Sequence, residues 1–247
     1  MSKSVSAIVL AAGKGTRMNS ENKNKVILEL LDKPMICYTI ENLKKSGIND
    51  IITVVSYAKE SVKKALGNEV TYVDQKVPLG TGHAVKAGLK KISNQSSHII
   101  SMYGDDSAFY PPKLIEMLID HHDKSKAAIT LLTIKKDDPT GLGRIIRNSD
   151  KVTAIVEEKV ATKDQKKIKE INTGLYCFNK KFLEENISSI SKNKISGEYY
   201  LTDIVEIAKN QNEKVEALYW EDDSVWFGVN TPQQLRKAQK LMRQKTQ

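Results

Sequence analysis

The sequence predicts an α/β fold, a doubly wound and mostly parallel sheet with an added lobe, and three observations predict it. Short apolar runs alternate with amphipathic stretches through the first half of the chain, the order left by parallel strands joined through crossover helices. In the later half the rhythm changes to closely spaced extended segments. Polar, glycine-containing clusters follow several predicted strands, and ligands of open α/β sheets bind beyond the carboxyl ends of strands.

Ser6–Ala12 is the first predicted strand, and a long polar loop from Gly13 to Lys25 follows it. Pro34 opens a helix with Ile36, Ile40 and Leu43 on one face and Gly47 at its end. Ile51–Ser56 predicts strand two; helix 59–66, strand Val70–Asp74, helix 80–92 and strand His98–Tyr103 continue the alternation. Gly104-Asp105-Asp106 lies at the carboxyl end of that last strand. Pro111 and Pro112 start another helix and Ala128–Ile134 another strand. Gly141–Arg147 and Val152–Glu157, separated by Asn148-Ser149-Asp150, predict a hairpin. Ile171–Phe178 is a further strand, then helices near 180–187 and 199–210, a strand at Lys214–Tyr219 and a final helix from Pro232. With no Pro/Ser-rich linker, the lobe belongs to one continuous fold.

Composition removes several classes. The 247 residues hold 13 Gly, 6 Pro and 40% hydrophobic side chains, and a chain this long buries about 70% of its unfolded surface without a disulfide or metal staple. Mixed charge and the absence of an internal repeat exclude disorder, collagen and solenoids. Cys37 and Cys177 stand in no metal-like or redox spacing and read as reduced thiols in a cytoplasmic protein. No apolar run reaches the roughly 18 residues of a membrane span, so no membrane association is expected. Of the formal charge of +9, Arg236, Lys237, Lys240, Arg243 and Lys245 supply +5 within 231–247. That stretch and the Lys-rich run from Lys159 to Lys169 lack the interleaved aromatic residues of single-strand binders, and both predict solvated helix faces and no nucleic-acid partner.

Leu10-Ala11-Ala12-Gly13-Lys14-Gly15-Thr16-Arg17-Met18 follows a strand and combines small residues with cations. Small residues let the backbone approach a phosphate chain, and Lys14 and Arg17 can neutralise it. Met18 stands where a dinucleotide fingerprint needs glycine, and Gly15 is not followed by the Lys-Ser/Thr of a P-loop. Read locally, the loop says phosphate without saying which. Asp105 could equally be a turn acid, and Asn230, before Thr231-Pro232, a helix-start residue. His83 reads as a helix-surface or supporting residue, His121-His122 as a solvated helix end, and Tyr199-Tyr200 as packing residues.

Eight ordered blocks carry a resemblance over roughly residues 5–240. They are Leu10–Met18, Gln75 with Pro78–Ala84, Tyr103–Asp105, Asp138–Ile145, Ile155–Lys159, Ile171–Gly174, Gly197–Asp203 and Gly228–Asn230. In these the chain resembles the sugar nucleotidyltransferases (nucleotide-sugar pyrophosphorylases), most of all the pyrophosphorylase domain of bacterial N-acetylglucosamine-1-phosphate uridyltransferases. The resemblance implies a Rossmann-like fold of the nucleotide-diphospho-sugar transferase type. Residues 1–230 would form the nucleotidyltransferase domain, with a nucleotide-binding part to about 110 and a sugar-binding part from about 111, and 231–247 a basic C-terminal helix.

It implies nucleotide contacts at Leu10, Ala11, Ala12, Gly13, Gly15, Thr16, Arg17, Gln75, Gly80 and Thr81, the Gln75 amide offering a donor and an acceptor to a uracil edge. It implies sugar-phosphate contacts at Lys25, Tyr103, Gly104, Gly141, Glu157, Asn172 and Thr173, a catalytic role for Arg17, Lys25 and Asp105, and a Mg²⁺ site at Asp105 and Asn230. The implied reaction joins UTP to N-acetylglucosamine 1-phosphate, giving UDP-N-acetylglucosamine and pyrophosphate. Glucose 1-phosphate as acceptor, dTTP or CTP as donor, and a non-catalytic nucleotide pocket are the alternatives.

Three features depart from the family pattern. Asn24 stands where the residue before the lysine is commonly Pro, and Asp106-Ser107-Ala108-Phe109 replaces a proline-containing continuation of the acidic block. The hexapeptide repeats of the bifunctional members have no counterpart, so acetyl transfer is not expected of this chain. Oligomeric state is open.

Overall fold

Six of the seven residues of Val5–Ala11 (β1) are buried, as a strand covered by helices on both faces must be. In the computed structural model, which describes residues 4–13, 15 and 23–246, β1 lies near the middle of a nine-stranded sheet. Asp50–Val55 (β4) and His98–Tyr103 (β6) flank it, both parallel to it. The chain goes to one side of β1 through β4 and Thr71–Asp74 (β5), then returns to the other side through β6. That reversal opens a crevice at the carboxyl ends of β1 and β6. Leu10 pairs with Tyr103 there, and Gly104 N donates to Leu10 O at 3.0 Å.

The rest of the sheet comes from the later half, as a continuous fold requires. Glu170–Asn179 (β10) inserts antiparallel between β6 and Ile129–Lys135 (β7), and Val215–Tyr219 (β11) closes the far edge parallel to β7. The predicted hairpin is Arg144–Asn148 (β8) with Lys151–Val156 (β9), and it joins the sheet where Arg144 meets Ile171 of β10. A register shift on β10 between Asn172 and Tyr176 leaves Thr173, Gly174 and Leu175 out of regular pairing with β7. Such a bulge re-aims side chains locally. Two-residue strands at Glu29–Leu30 (β2) and Lys33–Pro34 (β3) make a small separate hairpin, which the sequence reading did not anticipate.

Alternate residues of β1 feed opposite layers. Ala7, Val9 and Ala11 pack with Ile36, Ile40 and Leu43 of Met35–Lys45 (α1) and with Leu114 and Leu118 of Pro112–Ser125 (α4). Ile8 and Leu10 pack with Ala84 and Val85 of Thr81–Leu89 (α3) and with Ile204 and Val205 of Ile204–Asn210 (α6). Each fully buried Leu or Ile adds about 1.5–3 kcal/mol relative to exposure, which fixes which helix face turns inward. Lys59–Leu66 (α2) and Lys180–Asn186 (α5) complete the two helical layers. The basic helix Pro232–Thr246 (α7) is anchored: Ala238 and Met242 are buried in a third cluster with Leu30, Met35, Phe109 and Val229.

Candidate active site

A cleft of about 320 Å³ opens at the β1/β6 crevice. Residues expected to bind the nucleotide converge on it from two loops, Leu10, Ala11, Ala12, Gly13 and Gly15 at and after the end of β1 and Gln75, Gly80 and Thr81 around the start of α3; from the end of β6 come Tyr103, expected at the sugar phosphate, and Asp105, expected at the metal. Thr16 and Arg17, the other expected phosphate contacts, lie outside the described residues, as do Lys14 and Met18.

Lys25 enters from a single 3₁₀ turn, Lys25–Ile27, and that turn is held by Asn24. Asn24 is fully buried. Its Nδ2 donates to Ala11 O at 2.8 Å and to Tyr57 O at 2.9 Å, while its Oδ1 accepts from Val26 N at 3.1 Å. One amide therefore ties the end of β1 to the turn that carries the lysine. Asn is a preferred helix-start residue, a signal that the sequence reading, which placed Asn24 in the loop, did not use.

The Lys25 ammonium forms an ion pair with Asp105 and donates to Asn230 Oδ1 at 2.9 Å. Asp105 and Asn230 thus aim oxygens at one point, and that point carries positive charge. One carboxylate and one neutral carbonyl oxygen form a hard, oxygen-only donor set, and with phosphate and water completing the shell they fit Mg²⁺. Among the described residues no group of three or more His, Cys, Asp and Glu could hold a metal. Asp106 is buried beside Asp105, and burial together with the Asp105 carboxylate pushes its carboxyl well above the usual range, against the pull of Lys25 and Trp226.

Tyr103 lines the cleft from the end of β6. Its ring lies where a Cβ on Gly174 would be, 2.1 Å from the nearest ring carbon, so only glycine fits at that bulge position. Burial raises the Tyr103 phenol, with Glu157, Asp106 and Asp105 adding to the rise and the Thr81 hydrogen bond opposing it, and the phenol stays neutral. Glu157, whose charge acts on that phenol, accepts from Thr202 Oγ1 at 3.2 Å, and burial raises its carboxyl. Asn172 N donates to Gly143 O at 2.9 Å, and Asn172 Oδ1 accepts from Gly174 N at 3.0 Å.

The remaining residues expected at the sugar phosphate are placed differently. Gly104 sits under the cleft against Ile36 and Val26. Thr173 is 1% exposed, its hydroxyl donating to Leu132 O and its carbonyl accepting from Tyr110 and Trp226, so it supports the bulge from behind. Gly141 is exposed in the turn before β8, and a backbone hydrogen bond links it to Glu158, which Arg144 also holds.

Sequence reasoning took 198–201 as part of a resemblance block, with Tyr199-Tyr200 as packing residues, and assigned it no ligand contact; the structure laces it along the cleft. Tyr199 N donates to Leu79 O, Gly82 N to Tyr199 O, and Leu201 N to Thr81 Oγ1. Gly80 makes this possible: its φ is +103°, and a Cβ there would stand 2.6 Å from Tyr199 O. Glu198 consequently lines the cleft. Burial raises both thiols, Cys37 and Cys177, away from the thiolate form.

A doubly wound sheet with a small-residue loop after its first strand, and a lysine, a carboxylate and an amide oxygen meeting at the crevice, defines a nucleotide-handling transferase of the α/β class. The chain belongs to the nucleotidyl transferase family, whose description matches residues 6–245. It is 42% identical over 238 residues to the bifunctional protein GlmU of Limosilactobacillus reuteri and 39% identical over 240 residues to that of Bacillus licheniformis. These alignments cover 96% and 97% of the chain and 52% of each relative, so the chain spans about half the length of the curated relatives it matches. A solved structure described as a glucose-1-phosphate thymidylyltransferase from Bacillus anthracis shares the fold with a TM-score of 0.81 at 23% identity, over 97% of this chain and 96% of the other. Among the described residues no helix is long and apolar enough to cross a membrane.

Proposed function

We infer that the protein transfers a uridylyl group from UTP to N-acetylglucosamine 1-phosphate, releasing pyrophosphate and forming UDP-N-acetylglucosamine, with Mg²⁺ as cofactor. The observation that carries the reading is the convergence of Lys25, Asp105 and Asn230 at the mouth of the β1/β6 crevice. It is supported by the many expected nucleotide contacts that line one cleft.

A sugar 1-phosphate is ionised near neutral pH, so its oxygen attacks the α-phosphorus directly and no general base is required. The new phosphorus–oxygen bond forms as the bond from the α-phosphorus to the leaving pyrophosphate breaks, and no proton moves. The protein's task is to hold two polyanions in line and offset their repulsion. Lys25 leaves its ion pair to reach phosphate oxygens, and Arg17 would add a second cation. Asp105 and Asn230 would hold Mg²⁺, which when bound neutralises charge on the transferring phosphoryl oxygens. Glu157 and Asn172 orient the sugar hydroxyls, the lobe from about residue 111 serving the sugar and the first 110 residues the nucleotide.

The experiment is pyrophosphate release with Mg²⁺ across UTP, CTP, dTTP, ATP and GTP, each against N-acetylglucosamine, glucose, galactose and mannose 1-phosphates. Release confined to UTP with N-acetylglucosamine 1-phosphate is the expected outcome. Release in another cell of the grid replaces the substrates and keeps the chemistry; a grid blank throughout for folded protein overturns the reading.

A further inference from the structure

His83 takes no part in the chemistry above, yet it touches the residue expected to face the base. Gln75, whose side chain lines the cleft and is 2% exposed, places its Nε2 3.3 Å from Gly80 O and 2.8 Å from His83 Nδ1. These two contacts fix which way the amide points. Gly80 O is a carbonyl at the start of α3, where it also accepts from Ala84 N at 3.1 Å, and a carbonyl can only accept. The Gln75 atom facing it must therefore be the NH₂, because the amide turned over would set oxygen against oxygen. The second N–H of the same NH₂ points at His83 Nδ1, so Nδ1 is the acceptor and the His83 ring proton sits on Nε2.

Both amide N–H groups are thus spent on protein acceptors. The donor-and-acceptor edge expected of Gln75 is reduced to its oxygen alone, and Gln75 Oε1 makes no hydrogen bond among the described residues. We propose that His83 is a positioning residue that locks the Gln75 amide with its oxygen toward the base, so that the site selects pyrimidines bearing a ring imino N–H. This rests on the uridylyl reading. Uracil has one N–H on its free edge, N3–H, and a lone acceptor can only pair with that. Thymine shares it. Cytosine in the same pose turns the bare N3 lone pair toward Oε1, and the two acceptors repel.

The packing supports a positional role. His83 stands in the first turn of α3 with its ring 6.5 Å from that of Tyr199, whose backbone is laced to Leu79 and Gly82 on either side of Gly80. The loop that supplies Gly80 O and the helix that supplies His83 are therefore held as one unit around Gln75.

The test is equilibrium binding of UTP and of CTP, each with Mg²⁺, to the full chain by titration calorimetry. Wild type, His83→Asn, His83→Leu and His83→Phe are compared, with thermal melts confirming that each is folded. Asn offers an oxygen near the position of Nδ1 and is expected to keep the wild-type preference for UTP. Leu and Phe remove the acceptor and free the amide to turn over, so the UTP-to-CTP preference is expected to fall about tenfold, the weight of one directed hydrogen bond. A merely structural role for His83 would weaken both nucleotides together and leave their ratio unchanged. An unchanged ratio in folded His83→Leu or His83→Phe, with wild type preferring UTP, overturns the proposal and leaves the uridylyl reading intact. Wild type that binds neither nucleotide, or binds CTP as well as UTP, overturns both.

Discussion

Lys25 Nζ donates to Asn230 Oδ1 at 2.9 Å, joining residues 205 positions apart. The same ammonium pairs with Asp105, so a lysine occupies the point at which both proposed metal-binding oxygens aim. If the pair holds Mg²⁺ as proposed, lysine and metal would compete for one location until phosphate draws the lysine away. Lys25→Met is expected to strengthen nucleotide-free Mn²⁺ binding, read by electron paramagnetic resonance, while lowering turnover about a hundredfold or more. Weaker Mn²⁺ binding in this variant would contradict the competition.

Asp105→Ala removes the only carboxylate that touches Lys25 in the described residues. Turnover is expected to fall by at least about a thousandfold, since a metal clamp on a transferring phosphoryl group supplies several kcal/mol. Pyrophosphate release at several Mg²⁺ concentrations measures it, and near-normal Mg²⁺-dependent rates would remove the metal role.

Asn24→Ala leaves Ala11 O and Tyr57 O without their shared donor inside the fold. An unsatisfied buried polar group costs about 1–3 kcal/mol, and at this chain length each kcal/mol lowers Tm by about 2–4 °C. Asn24→Asp is expected to be worse than Ala, because a carboxylate sets negative charge against the same two carbonyls. Scanning calorimetry of the three proteins orders them, and an Asp variant as stable as wild type would refute the clamp.

Burial raises the Glu157 carboxyl above its ordinary value of 4.5, against the Thr202 hydrogen bond. A raised carboxylate holds its proton longer in the folded state than in the unfolded chain, so the folded state binds more protons over that window. By linkage, this residue's contribution to stability falls as pH rises from about 4.5 through the raised folded value. Glu157→Gln is expected to flatten that part of the pH–stability curve and to raise Tm near pH 7 with little change near pH 4. In kinetics, Glu157→Ala is expected to raise KM for the sugar phosphate and leave UTP binding in place; loss of UTP affinity instead would misplace the hairpin.

Much of this was legible along the chain, and the parts that were not share a cause. β1 is observed one residue earlier than expected at both ends and β6 at its expected bounds, because runs of six buried residues in β1 and five in β6 leave no other reading. The cleft residues were legible as blocks. What Lys25 meets was not, because its partners lie 80 and 205 positions away and no local pattern encodes such distances. The direction of β10 was equally hidden, since an apolar strand reads alike in either orientation. Asn24 was noticed as a departure, but only its three hydrogen bonds reveal a clamp. β2 and β3, at two residues each, are too short to carry a period.

The insertion of β10 between β6 and β7 also dictates a schedule. During synthesis β1, β4, β5 and β6 emerge first and can pair with one another, but the free side of β6 has no neighbour until residues 170–179 appear. For some seventy residues of elongation the nascent chain carries an apolar, unpaired strand edge, the feature that recruits wrong partners most readily. Closure of the sheet is therefore a late, long-range event, slow relative to helix formation. A ribosome stalled before β10 would hold a half-sheet whose exposed side is a template for holdase chaperones or for another copy of itself.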